Sequence, residues 1–206
     1  MPKNAFLKII ITIFSAPFIA ISRFAIFWYG SKLKIDFHKC AQIINCAPIA
    51  PDLYVKMLIL AEDHRSKMHF GVDPIAVMRC CVIFITRKKT QGGSTIEQQF
   101  VRVVTNRYER TFRRKIREQI LAIELSRHFK KNDIASAYLS IAFYGTGQYG
   151  LDAACNSQKS ISDNNLDTAL LTISKLKYPE PLAHSAPWIA RINTRVKHIR
   201  SKMVVT

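Results

Sequence analysis

One stretch decides the fold, residues 111–129, which read TFRRKIREQILAIELSRHF. Its apolar residues recur every three or four positions, as expected of a helix that buries one face. These residues are Phe112, Ile116, Ile120 and Ile123. The spacing predicts a helix from about Thr111 to Phe129.

The same helix concentrates charge. Arg110, Arg114 and Glu118 follow one another at intervals of four and therefore share one side of the helix. From Arg79 to Lys131 the chain has 14 Lys and Arg residues and four Glu, a net charge of +10 out of +17 for all 206 residues. Guanidinium groups oriented by a carboxylate could bind a diphosphate, although a solvated, salt-bridged face is the usual meaning of such a run.

The remaining segments predict further short helices, so the fold class is mainly α. Pro51 can open a helix at its first position, and Asp73 with Pro74 forms an N-cap followed by proline. Ser94 and Glu97 form a capping box, S-x-x-E, which predicts a helix toward Val104. Three more helices are predicted, from Asp133 through Tyr144, near Leu166–Leu176 and from about Ala186 to Met203.

The composition excludes several classes of protein. Apolar residues make up 49% of the chain, which argues against disorder, and only 7 Gly and 8 Pro exclude a collagen-like or linker-rich chain. The five cysteines have no C-x-x-C spacing and suit neither a zinc knuckle nor a disulfide framework. A net charge of +17 implies an anionic partner: nucleic acid, an acidic membrane surface or a phosphate-bearing substrate.

The first thirty residues predict a membrane anchor. Ile9–Ser22 carries no charge, and with the apolar residues after Arg23 the stretch approaches the roughly 20 residues of a membrane-spanning helix. Lys3 and Lys8 precede it, which places the N-terminus in the cytoplasm. A cleaved signal peptide is the alternative, but no convincing cleavage site follows. The predicted organisation is an anchor over 1–30, a connector over 31–50 and an extracytoplasmic domain over 51–206, which counts against nucleic acid as the partner.

Two other stretches could carry chemistry. Glu62 and Asp63 follow the apolar run MLILA, and a carboxylate at the edge of an apolar wall is suited to act as a general base. Gly92-Gly93 leads into a helix N-terminus, where free backbone N–H groups can bind an anion. Alone, the Glu62–Asp63 pattern is more often a pair of solvated acids at a helix end, and a glycine pair before a helix is common in plain loops.

The order of these motifs resembles the peptidoglycan glycosyltransferases of glycosyltransferase family 51. Glu62-Asp63-His64-Arg65 with His69 and Gly71 is similar to the family's first motif, Gly92–Gln99 to its second and Arg114-Lys115-x-x-Glu118 to its third. Segments around 138–154 and 170–203 are similar to the last two. The resemblance implies a lysozyme-like α domain with a membrane-associated jaw, preceded here by one transmembrane helix. The chain ends at Thr206, so we expect no penicillin-binding transpeptidase domain.

The resemblance also implies an inverting reaction that polymerises lipid II and releases undecaprenyl diphosphate. Glu62 would be the general base that deprotonates the acceptor hydroxyl. Glu118 would be the second catalytic residue and would hold the departing diphosphate together with arginines. The implied substrate-binding residues are Asp63, Ser94, Gln98, Gln99, Arg102, Arg110, Lys115 and Arg117.

The implied partners are lipid II, the growing glycan chain and other cell-wall synthesis proteins, with no nucleic acid. Residues 5–29 would contact the membrane, giving a single-pass protein of the bacterial inner membrane with a periplasmic catalytic domain. We expect no cofactor held by the protein alone. A divalent cation, Mg²⁺ or Mn²⁺, would depend on the diphosphate, because the chain has no obvious metal-ligand spacing.

Several residues depart from the family's pattern. Ser66 replaces a Phe, Glu97 replaces a Thr, Ser126 replaces a Glu, and the aromatic pair expected after Ala154 is absent. The alternative is therefore a weak or inactive relative that binds lipid-linked sugar diphosphate or a cell-wall partner. A lysozyme-like hydrolase is a more distant alternative, because a hydrolase needs no concentrated positive charge. A membrane-tethered nucleic-acid binder is a more distant alternative still.

Overall fold

The structure is a computed structural model that describes residues 9, 11–17, 19–20, 22–24, 30–88, 92–156 and 165–203. Helices predominate among these residues, which confirms the mainly α class. The chain divides into two compact units. Unit 1 comprises Met1–Cys46 and Arg65–Ile134, and unit 2 comprises Ala47–His64 and Ala135–Thr206.

The N-terminal region contains a first helix, α1, in the described residues from 9 to 24. Among all residues that the structure describes, no helix is both long enough and apolar enough to cross a membrane. Much of the predicted anchor over 1–30 lies outside the described residues. Ile11 is buried, and the hydroxyl of Ser22 donates to Glu124 Oε1 at 3.2 Å, so the described part of α1 packs within unit 1.

Unit 1 is built around three helices, α2 (Gly30–Cys46), α5 (Ile96–Thr105) and α6 (Phe112–His128). α5 packs against α6, and α2 contacts both. The core is apolar and includes Leu33, Phe100, Val101, Leu121 and Leu125. Unit 1 also contains a 3₁₀ turn (Ser66–Met68) and α4 (Pro74–Arg87). The sequence did not predict α2, which lies in the segment interpreted as a connector, residues 31–50.

Helix caps explain where the helices of unit 1 begin. Asp73 accepts a hydrogen bond from the Ala76 N–H at 3.1 Å, which confirms the predicted N-cap, and Thr111 accepts one from the Arg114 N–H at 3.2 Å. The predicted capping box at Ser94 is wrong. The N-cap of α5 is Thr95, whose Oγ1 accepts from the Gln98 N–H, so Ser94 stays in the preceding loop.

Unit 2 packs α9 (Leu166–Lys175) against α3 (Asp52–Glu62) and α10 (Ala186–Met203). The boundaries of α9 and α10 confirm the predictions. The helix predicted from Asp133 through Tyr144 is also confirmed, but it begins two residues earlier and ends three residues earlier than predicted. α7 spans Lys131–Ile141, and an antiparallel hairpin follows, with β1 (Phe143–Gly145) and β2 (Gln148–Tyr149) paired through Phe143 and Tyr149. Gly147, at φ +75°, permits the tight turn. A short α8 (Leu151–Asn156) follows β2.

Gly71 joins three parts of unit 1. Its φ is +73°, and a Cβ at this position would lie 2.1 Å from the carbonyl oxygen of Ala122 in α6. Its own carbonyl oxygen accepts a hydrogen bond from Thr95 Oγ1, the N-cap of α5, at 2.6 Å. Only glycine permits this approach, so the residue fixes the loop before α4 against both α5 and α6.

We predict that Gly71→Ala lowers the free energy of unfolding by at least about 2 kcal/mol, because it adds backbone strain and a clash with main-chain atoms. Chemical denaturation of the purified variants measures this loss. Gly147→Ala has a similar φ but no atom within 4 Å of the added Cβ, and Gly92→Ala has neither problem. We therefore expect Gly147→Ala to lose less stability and Gly92→Ala almost none; equal losses in all three would contradict the close-packing argument.

Candidate active site

The carboxylate of Glu118 lies at the centre of a cluster of cations in unit 1. The Glu118 side chain is 2% exposed. Arg102 Nε donates to its Oε1 at 2.8 Å, Arg114 donates to the same oxygen, and Lys115 Nζ lies 3.5 Å from Oε2. Three cations surround one carboxylate, so the cluster carries a net positive charge of +2.

The lysine of this cluster connects α6 to the start of α5. Lys115 Nζ donates to Ser94 Oγ at 2.9 Å and to Gln98 Oε1 at 2.6 Å. Arg102 Nη2 also donates to Ser94 Oγ, at 3.4 Å. Five of the predicted site residues, from two separate motifs, therefore meet in one hydrogen-bonded group: Ser94, Gln98, Arg102, Lys115 and Glu118. We call this group, together with Arg114, the Glu118 cluster.

Burial lowers the pKa of Lys115, and the nearby Arg102 and Arg114 lower it further, against the opposing effect of Glu118. The cluster thus holds more positive charge than its own carboxylate balances. An anion with several oxygens would relieve this imbalance, because charge-assisted hydrogen bonds to guanidinium and ammonium groups are strong.

The other two predicted arginines are not part of the Glu118 cluster. Arg117 donates from Nε and Nη2 to Asp36 Oδ2, at 2.9 and 2.6 Å, and from Nη2 to the Lys32 carbonyl at 2.9 Å. These contacts tie α6 to α2. Arg110 is exposed in the loop before α6. Arg114 takes the place beside Glu118, one helical turn away, as their shared face predicted.

The predicted base lies in unit 2. Glu62 is the last residue of α3, and Asp63, which is buried, forms its C-cap. Glu62 Oε1 accepts a hydrogen bond from Arg195 Nη2 at 2.5 Å, and the same nitrogen donates to the Ala61 carbonyl at 2.9 Å. The side chains of Glu62 and Arg195 are 18% and 9% exposed. Sequence reasoning missed Arg195, since no motif spacing relates residues 133 positions apart.

Two of the departures from the family's pattern meet in unit 1. Glu97 is buried, accepts a hydrogen bond from Ser126 Oγ at 3.2 Å and pairs with the Lys131 ammonium. Burial raises the pKa of Glu97, but Lys131 and His69 together with hydrogen bonds outweigh it, so the pKa lies below its usual value. The predicted capping box had implied that the Glu97 side chain turns back toward Ser94. In the structure it is directed to α6 and Lys131 instead.

The Glu118 cluster does not suit a divalent cation. Mg²⁺ and Mn²⁺ prefer oxygen ligands such as carboxylates. The carboxylate in this cluster is already paired with Arg102, Arg114 and Lys115. The cluster's chemistry is therefore that of an anion site formed by the protein's own cations.

We predict that Lys131→Met costs about 3–5 kcal/mol of unfolding free energy at neutral pH, since it leaves the Glu97 charge buried without its partner. The double variant Glu97→Thr/Lys131→Met should recover most of that loss. Denaturation of the wild type, both single variants and the double variant gives the coupling energy. Additive losses would show that the pair is not coupled.

The pKa of Lys115 predicts a pH dependence of anion binding. The side chain is charged below its pKa, so affinity for a short-chain prenyl diphosphate should fall as the pH rises through a value below the usual 10.5. Lys115→Arg stays charged and should keep its affinity to higher pH. Calorimetric titrations of both proteins between pH 7 and 11 measure the difference. Identical pH profiles would mean that Lys115 does not hold the anion.

The sequence is similar to those of several known proteins. Penicillin-binding protein 1A of Aquifex aeolicus is 33% identical over 162 residues, which cover 76% of this chain and 22% of that protein. The monofunctional glycosyltransferase of Staphylococcus haemolyticus is 30% identical over 180 residues, covering 85% of this chain and 65% of that protein. Penicillin-binding protein 1A of Escherichia coli is 36% identical over 127 residues. The chain spans less than two thirds of the length of each of these relatives.

A protein family described as Transglycosylase matches residues 32–204, which include most of α2 and every predicted site residue. The match covers the Glu118 cluster in unit 1 and the Glu62–Arg195 pair in unit 2. It also agrees with the ordered motifs found in the sequence. The chain therefore belongs to the transglycosylase family, the peptidoglycan glycosyltransferases that its motifs resemble.

Proposed function

We propose that this protein is a membrane-anchored peptidoglycan glycosyltransferase that polymerises lipid II into glycan strands and releases undecaprenyl diphosphate. The observation that carries the proposal is the Glu118 cluster, a buried carboxylate that organises three cations with Ser94 and Gln98. The names of two relatives, monofunctional glycosyltransferase and penicillin-binding protein 1A, support the same reaction class.

In this reaction the Glu118 cluster would stabilise the leaving group. The bond between the anomeric carbon of the donor sugar and the diphosphate oxygen breaks, and the electron pair stays on the diphosphate. Arg102, Arg114 and Lys115 are preorganised to receive this charge, because Glu118 already fixes their positions. Of the other proposed substrate residues, Gln99 lies in the first turns of α5, and Arg110 and Arg117 would contribute positive charge at longer range.

Glu62 would act as the general base. The 4-hydroxyl of the acceptor sugar transfers its proton to the Glu62 carboxylate as the hydroxyl oxygen attacks the anomeric carbon from the face opposite the diphosphate, which inverts the configuration. The hydrogen bond from Arg195 orients the carboxylate and balances its charge before the proton arrives. Arg195 is then a positioning residue, and Asp63 would help to hold the acceptor.

A membrane location is supported by the surface of α4. Its apolar side chains Met78, Val82, Phe84 and Ile85 are between 57% and 75% exposed. Arg87 and Lys88 follow at the end of the same helix. An exposed apolar patch beside cations suits the surface of an anionic membrane. We propose that residues 5–29 anchor the chain in the bacterial inner membrane, with the catalytic domain on the periplasmic side.

The proposed partners are lipid II, the growing glycan chain and other proteins of cell-wall synthesis. Any divalent cation would bind to the diphosphate of the substrate, and every step above uses only the protein's own residues. The pairing of Glu97 with Lys131 weakens the alternative of an inactive relative, because this acidic side chain is neutralised locally. The replacement of Phe by Ser66, which is buried, remains consistent with a slower enzyme.

The test is polymerisation of labelled lipid II by the purified full-length protein in detergent. We predict polymer from the wild type and a loss of at least about 100-fold in rate for Glu62→Gln, the usual scale for removing a general base. Asp52→Asn, at the exposed start of the same helix α3, is the matched control and should polymerise normally. Lack of polymer from the wild type would refute the proposed function, and near-normal activity of Glu62→Gln would remove Glu62 from the role of base.

A further inference from the structure

A cavity of about 340 Å³ lies within unit 2, between α10 and the segment that precedes it. Four of its lining residues are basic, and none is acidic. The lining consists of Lys177, Tyr178, Ala190, Arg191, Thr194, Arg195 and His198. We call this cavity the α10 cavity.

The walls of the α10 cavity are held in place by Trp188. Its indole Nε1 donates to the carbonyl oxygens of Tyr178 and Pro179, at 3.1 and 3.0 Å. These bonds fix the 178–179 segment to α10. Lys177 Nζ lies 5.8 Å from the centre of the Tyr178 ring, so the lysine is held near the aromatic wall. The segment that carries Lys177 and Tyr178 is therefore held against α10.

Arg195 is the innermost cation of the lining. Its side chain is 9% exposed, and Nη2 is used by Glu62 and the Ala61 carbonyl. Its Nε is buried and has no hydrogen-bond partner among the described residues. An unsatisfied buried donor on a charged group costs about 1–3 kcal/mol or more. The guanidinium thus keeps hydrogen-bonding capacity that the protein does not use.

The electrostatic environment of the α10 cavity is positive. Burial lowers the pKa of His198, and Lys202, Arg195 and Lys177 lower it further. Each of these three cations disfavours another positive charge at His198. Among the described residues, Glu62 is the carboxylate that pairs with the lining. It contacts Arg195 and balances one of at least three permanent charges. An anion in the cavity would balance the others.

We propose that the α10 cavity binds a phosphate or diphosphate group. Arginine forks match the geometry of phosphate oxygens, and two or more uncompensated cations favour a ligand with more than one negative charge. The volume is near the lower limit for small-molecule sites, which suits a compact anion rather than an oligosaccharide. This site lies outside the Glu118 cluster, to which the proposed function assigns the diphosphate. It shares Arg195 with the Glu62 pair, and it stands on contacts within unit 2 alone.

The test follows the imidazole of His198 by NMR during titration of the full-length protein with inorganic pyrophosphate. Bound pyrophosphate should raise the pKa of His198, and His198→Gln identifies its signal among the six histidines. We expect Lys177→Ala/Arg191→Ala to weaken the response by about tenfold or more, the scale of one charged hydrogen bond. Lys197→Ala, an exposed lysine of α10 outside the lining, is the matched control and should respond as the wild type does.

Two further arms separate the ligand sources and the two sites. In nanodiscs, a His198 response to pyrophosphate identifies a soluble ligand, and a response only when the nanodiscs contain phosphatidylglycerol identifies a lipid headgroup; either supports the site. Lys115→Met should leave the His198 response unchanged, so failure at the Glu118 cluster would not be mistaken for failure here. No response to either probe, or an equal response in the Lys177/Arg191 double variant, would overturn the proposal.

Discussion

The buried carboxylate of Glu118 is the interaction on which the rest of unit 1 depends. A carboxylate with 2% of its side chain exposed needs compensating charge, and three cations supply it. Because Lys115 and Arg102 also bind Ser94, this requirement draws the loop before α5 onto α6. The close approach of Gly71 to Ala122 also holds the loop before α4 against α6. The packing of unit 1 and the Glu118 cluster thus arise from one set of contacts.

The departures from the family's pattern are linked in space. The family's second motif has Thr where this chain has Glu97, and its third motif is followed by Glu where this chain has Ser126. In this structure Ser126 donates a hydrogen bond to Glu97, so the acidic residue lies at the other side of the same contact from the position that the family's pattern gives it. Lys131 balances the negative charge of Glu97. A negative charge that looks harmful in the sequence is therefore kept within the core of unit 1.

Much of this arrangement could be predicted from the sequence, for physical reasons that differ between elements. The period of α6 and the cap at Asp73 are local signals, and the structure confirms the helix and the cap. Of the four periodic residues it buries Ile120 and Ile123, whereas Phe112 and Ile116 are exposed. α2 was missed because its apolar residues pack on α5 and α6 without a clear period of their own. The β1–β2 hairpin was missed because its strands are only three and two residues long, and the first overlaps the helix predicted through Tyr144.

The site could be predicted where its residues lie close together in one motif, and less well elsewhere. Lys115 and Glu118 meet within a single turn of α6, whereas the contacts of Arg117 with Asp36 and of Arg195 with Glu62 join distant parts of the chain. Residues that lie so far apart in the chain show no characteristic spacing in the sequence. Arg117, which was expected to bind the substrate, thus also ties α6 to α2.

The central claim is that the Glu118 cluster acts on the diphosphate of the substrate. The most direct measurement compares kcat/KM for lipid II between Lys115→Met and Lys130→Met, an exposed lysine in the same basic stretch. The account predicts a loss of about tenfold or more for Lys115→Met, as for one charge-assisted hydrogen bond, and little change for Lys130→Met. Equal kcat/KM values in the two variants would contradict it.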